Sequence, residues 1–135
     1  MRSTSCAGSA DRRKEHGATI VEFLGVSVLT VACVLSVAQL AVWVWARDVA
    51  VTAAHEGART AAESGRPLDD GIGRARALLR DGLGESAARF VVEAAQEGDV
   101  VAVRAHGRAP ALVPFLPALA VEARATAADE DAGLP

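Results

Sequence analysis

One carboxylate, Glu22, stands inside a long apolar run, on the helical turn that follows Gly17-Ala18. A charged side chain at the centre of a membrane-spanning helix costs roughly 2.5–3.5 kcal/mol, and less near the interface. Such a group is usually kept because it has a partner. A cut after Gly17 would make Ala18 a new N-terminus, one helical turn from Glu22. The free ammonium of a neighbouring chain would then neutralise Glu22 as helices stack, setting their axial register. Were the chain cut there, the chemistry at this junction would be ion pairing between stacked helices.

No other constellation competes with it. His16, His55 and His106 are far apart and show no ligand spacing with Cys, Asp or Glu, so no metal site is expected. Gly71-Ile72-Gly73 follows no strand and lacks the third glycine of a dinucleotide loop, so no cofactor is expected. Asp129-Glu130-Asp131 reads as a solvated acidic tail. Cys6 and Cys33 lie in different compartments of the expected topology and should not pair; Cys33 reads as a small apolar residue buried in the run. No serine or histidine has a suggested base or nucleophile beside it, so neither catalysis nor a small-molecule substrate is expected. The basic residues form no extended patch with interleaved aromatics, which excludes a nucleic-acid footprint.

The elements that must position Glu22 follow from hydropathy and charge. The chain has 135 residues, at most one ordinary domain, and 51% are hydrophobic, many of them within 18–46. Residues 1–17 lack apolar periodicity and are expected to form a disordered basic leader carrying Arg12, Arg13 and Lys14. From Phe23 to Ala46 there are 24 consecutive uncharged residues, enough to cross about 30 Å of hydrocarbon as a helix. The run is too long for a secretory signal, and no small-x-small site follows it. Trp43 and Trp45 fall where an outer aromatic belt would sit. Four basic against two acidic side chains precede the run, and ten against fourteen follow residue 46. The leader is therefore expected in the cytoplasm, with the remainder extracytoplasmic. Within the span, Ala32, Ser36 and Gln39 would favour association with a neighbouring helix.

Beyond the span, Arg47, Asp48, His55, Glu56, Arg59 and Glu63 share one half of a helical wheel. Val49, Ala50, Ala53, Ala54, Gly57 and Ala61 share the other. Residues 18–63 are thus predicted as one helix of roughly 70 Å, its part over 47–63 an amphipathic stalk. Ala46, Ala50, Ala54, Ala58 and Ala62 recur every four residues and would admit another backbone at close range. Ser64-Gly65-Arg66-Pro67 ends the helix. A second helix is predicted over 69–81, with Asp69 or Asp70 as N-cap and Gly82 or Gly84 at its end. Strands are predicted over 89–95 and 100–106 around a Glu97-Gly98-Asp99 turn, and over 118–127. Three prolines exclude a central strand between residues 109 and 117. The expected fold class is α+β: a long N-terminal helix, a short second helix and a small antiparallel sheet of three strands, in a head spanning 64–127 before a loose tail at 128–135.

The stretch Gly17-Ala18-Thr19-Ile20-Val21-Glu22-Phe23, behind Arg12-Arg13-Lys14, resembles the processing signal of type IV pilins and pseudopilins. It looks most like the TadE-like minor pseudopilins of tight-adherence (Flp-type) pili. Residues 53–62 (AAHEGARTAA) and the LVPFLP stretch followed by AVEARATA are also similar to that family, so the resemblance covers most of 12–127, strongly at the junction and diffusely beyond it. It implies a membrane prepilin peptidase cleaving between Gly17 and Ala18, with Glu22 and Phe23 serving assembly. It also implies other pilins and pseudopilins as partners in a pilus or related secretion apparatus. The other reading is an unprocessed single-pass anchor with a small extracytoplasmic binding domain.

Overall fold

The computed structural model describes residues 9–63, 66–114 and 116–129, with the backbone alone at residues 9–18. The chain is α+β, with helix α1 (Ser9–Ala62), helix α2 (Leu68–Leu83), a 3-10 turn (Gly84–Arg89) and strands β1 (Phe90–Glu97), β2 (Val100–Arg108) and β3 (Ala120–Ala128). It divides into two compact units, Met1–Val37 and Ala38–Pro135.

In the first unit the residues described are those of α1. The helix starts at Ser9, well before the expected start at residue 18, so the predicted disordered leader is helical from Ser9 onward. Ala10, Arg12, Arg13, Lys14 and Glu15 are good helix formers, and a turn added to an existing helix escapes the cost of nucleation. From Ile20 to Val37 every Ile, Val, Leu and Phe side chain is exposed. The hydroxyls in this stretch are satisfied locally. Ser27 donates to the Phe23 carbonyl, Thr30 to Val26 and Ser36 to Ala32, each at 2.8 Å. A hydroxyl bonded to the preceding turn needs no water, which suits a helix surrounded by hydrocarbon.

The second unit packs the rest of α1 and α2 against one face of the sheet. The strands form an antiparallel meander in the order β1-β2-β3. Val92, Ala105 and Ala123 stand in one row and Ala94, Val103 and Ala125 in the next. This face meets Ala46, Ala50, Ala53, Ala54 and Ala58 of α1 and Ala75, Leu79 and Leu83 of α2 in a single core. Alanine and valine bury little area each, so cohesion depends on close approach of the backbones.

The closest approach is between the helices. A Cβ on Gly71 of α2 would lie 2.5 Å from the Gly57 carbonyl oxygen of α1, and one on Gly57 only 2.9 Å from that of Gly71. The every-fourth alanine stripe of α1 thus receives a backbone of the same chain: α2 and the sheet occupy it. Opposite the core, the sheet is polar, with Arg124 bonded to Glu97 at 2.7 Å and Arg104 to Glu122 at 3.3 Å.

Element ends follow local chemistry. α2 begins after Pro67, which fixes the entry; no side chain caps it, and Asp69 and Asp70 lie in its first turn, complementing the helix dipole instead of acting as the predicted cap. It ends at Gly84, whose φ of 56° suits glycine. The β1–β2 hairpin turns at Gly98, with φ 64°, in the tight register that pairs Glu97 with Val100. The proline-rich segment between β2 and β3 is a loop, closed by the Ala109 amide donating to the Leu119 carbonyl at 2.9 Å.

Candidate functional site

The junction around residue 18 lies within α1. The peptide bond between Gly17 and Ala18 is part of continuous helix, and the side chains of Arg12, Arg13 and Lys14 lie outside the described residues. Gly17 is the poorest helix former there, weaker than alanine by about 1 kcal/mol, so this is where the helix opens most readily. Glu22 follows Ala18 by four residues, which puts both on one face of α1. Glu22 and Phe23 are exposed. Between residues 18 and 46 Glu22 is the single residue charged at neutral pH, and it lies near the N-terminal end of the apolar run. Ala32 and Ser36 are likewise exposed on α1, and Cys33 is an exposed free thiol in place of the buried residue expected.

Gln39 departs from expectation. The sequence pattern points it at a neighbouring helix, but the oxygen and the nitrogen of its amide are both engaged within its own unit. Its Nε2 donates to the Pro110 carbonyl at 3.2 Å and its Oε1 accepts from the Leu112 amide at 2.9 Å. Only 6% of the residue is exposed. A buried amide whose oxygen and nitrogen are both engaged within its own unit has less to offer a neighbouring helix. Trp43, expected in an aromatic belt, is half-buried and donates its indole N–H to the Ala120 carbonyl at 3.0 Å, while Trp45 stays exposed. These bonds fasten the loop between β2 and β3 to α1 at both of its ends. The sequence carried a signal of this: residues 109–121 hold no charge between Arg108 and Glu122.

Among the described residues, no group of three or more His, Cys, Asp or Glu side chains gathers to hold a metal ion. His106 lies opposite Glu122 in the β2–β3 register, and its Nδ1 is buried without a partner. The groove between α2 and the 3-10 turn is lined by Arg76, Leu79, Arg80, Ala87 and Phe90, and places no nucleophile beside a base.

Compared with known proteins, the chain matches no family model, no curated protein and no solved structure. Among the described residues one helix, over Thr19–Ala62, is long and apolar enough to cross a membrane, it lies near the N-terminus, and its most apolar window is wholly unburied.

Proposed function

We propose that the chain is a minor pseudopilin of the TadE-like kind. On this reading a prepilin peptidase cleaves it after Gly17, and the product takes part as a structural or priming component in a tight-adherence pilus or related secretion apparatus. The observation that carries the reading is the lone Glu22 carboxylate, four residues after Ala18, at the start of an exposed apolar helix. Cleavage would create an ammonium at Ala18, and the Glu22 of an adjacent subunit would pair with it inside lipid, where charge pairing is strong. The small α+β head would remain on the extracytoplasmic side, consistent with the charge bias across the run. The pairing chemistry needs no catalytic residue of this chain, no cofactor and no small-molecule substrate.

The Gly17–Ala18 bond lies in regular helix, which favours a second reading, since proteases act on extended backbone. In that reading the chain is an unprocessed membrane anchor bearing a small binding domain. The deciding experiment is the N-terminal residue of membrane-extracted protein, determined by mass spectrometry in cells with and without their prepilin peptidase. A start at Ala18 that depends on the peptidase supports the pseudopilin; an intact leader in both strains overturns it. Glu22→Ala separates the readings again, impairing incorporation of a pseudopilin into its assembly while leaving the membrane level of a simple anchor unchanged.

A further inference from the structure

The loop between β2 and β3 presents apolar side chains outward. Leu112, Leu116 and Leu119 are 51%, 37% and 40% exposed, although the backbone that carries them is fastened to α1 through Gln39 and Trp43. On α1 beside those fastening points Leu40, Val44 and Trp45 are exposed as well. No charged residue occurs from Phe23 to Ala46 or from Ala109 to Val121. An apolar surface assembled from two distant segments, both free of charge, requires a cover.

Chain length indicates which cover. The uncharged part of the first unit, Phe23 to Val37, is fifteen residues, or about 22 Å of helix. A bilayer's hydrocarbon core is about 30 Å thick. With Glu22 at one interface, the span therefore falls short by about 8 Å unless residues beyond Val37 also enter the membrane. Those residues are Gln39 to Trp43, and the loop is bonded to them. Gln39 would be costly in lipid alone, but Pro110 and Leu112 satisfy both ends of its amide without water. Trp43 likewise has its N–H engaged, and exposed Trp45 suits the interfacial zone.

We propose that the β2–β3 loop, described over residues 109–114 and 116–119, is a membrane foot: an interfacial surface that sinks Leu112, Leu116 and Leu119 into the leaflet from which the head emerges. The proposal rests on the membrane-spanning reading of α1, but not on cleavage or pilus assembly. The foot seats the head directly on the lipid surface. Its occupant is lipid, because the shortfall in span exists for one isolated chain and is made up only when Gln39 to Trp43, with the loop bonded to them, enter the leaflet.

The test uses the full chain in vesicles of phosphatidylethanolamine and phosphatidylglycerol. Single cysteines replace Leu112, Leu119, Leu29 or Asp99 in a background of Cys6→Ser and Cys33→Ala, and each carries an environment-sensitive fluorophore. The expected result is that probes at Leu112 and Leu119 are quenched by shallow spin-labelled lipid and several-fold less by aqueous iodide than the probe on the Asp99 turn. The probe at Leu29 should be quenched by deep spin-labelled lipid. If Leu29 reads lipid while Leu112 and Leu119 both read water like Asp99, the foot is overturned and the membrane span stands. If Leu29 itself reads water, the span and the foot fall together. Shielding at Leu112 and Leu119 that vanishes as the lipid-to-protein ratio rises would assign the cover to a second copy of the chain, and would also overturn the proposal.

Discussion

Two glycines of α2, two residues apart, should respond in opposite directions to the same substitution. Gly71 and Gly73 both lie within the helix, so alanine at either gains intrinsic helix propensity of about 1 kcal/mol. At Gly73 a Cβ meets nothing within 4 Å, and the gain stands alone. At Gly71 the same atom would lie 2.5 Å from the Ala61 Cβ and 2.5 Å from the Gly57 carbonyl oxygen. Ordinary contact begins near 3.4 Å, so α2 must move off α1 by about 1 Å, and the alanine core beneath it loses dispersion contact along that length. Overpacking of this kind costs typically 1–3 kcal/mol, and more where backbone, not a flexible side chain, has to yield. The net expectation is a loss of about 1–2 kcal/mol for Gly71→Ala and a gain of about 0.5–1 kcal/mol for Gly73→Ala. In a unit of this size 1 kcal/mol shifts Tm by roughly 4–8 °C. Thermal unfolding of the full chain in detergent, followed by the circular dichroism of the strand-bearing unit, would therefore separate the two variants by about 6–24 °C. Equal or greater stability of Gly71→Ala relative to the parent would refute the close helix crossing.

Three further outcomes follow from the same geometry. Gln39→Leu removes the two bonds that Gln39 makes to the loop and leaves the Leu112 amide without its acceptor. The expected cost is about 1–3 kcal/mol, with faster hydrogen exchange at Leu112 while the Val103 amide stays protected. Ala54→Leu forces a large side chain into a fully buried position between α1 and the sheet, so the head should unfold at lower denaturant by at least about 2 kcal/mol, measured by tryptophan fluorescence. Arg124→Ala breaks the bidentate contact with Glu97 on the open face of the sheet. Both partners are half-exposed, so the change should stay within about 1 kcal/mol in the same titration, and a larger loss would mean that this face is covered.

The sequence by itself determined the elements, because each has a local cause. Twenty-four uncharged residues in succession make a helix that can cross a membrane wherever the rest of the chain goes. Alternation in Val121-Glu122-Ala123-Arg124-Ala125 makes a half-buried strand, and Gly98 in its turn leaves one tight register for the hairpin. Glu22 and the Gly17-Ala18 pair are legible for the same reason, since the chemistry proposed for them depends on spacing along one helix. What tertiary structure decided is which surfaces are already used. The alanine stripe from Ala46 to Ala62 reads equally as a contact for another subunit or for the chain itself, because a small-residue face specifies closeness and not the identity of what comes close. The fold fills it with α2, whose Gly71 meets Gly57. Gln39 reads as a polar residue facing a neighbouring helix until the loop, some seventy residues later in the sequence, brings the Pro110 carbonyl and Leu112 amide to it. A hydrogen-bonding side chain has no partner in a one-dimensional pattern; only the closed chain supplies one, and here it fastens an apolar loop to the helix that carries Gln39.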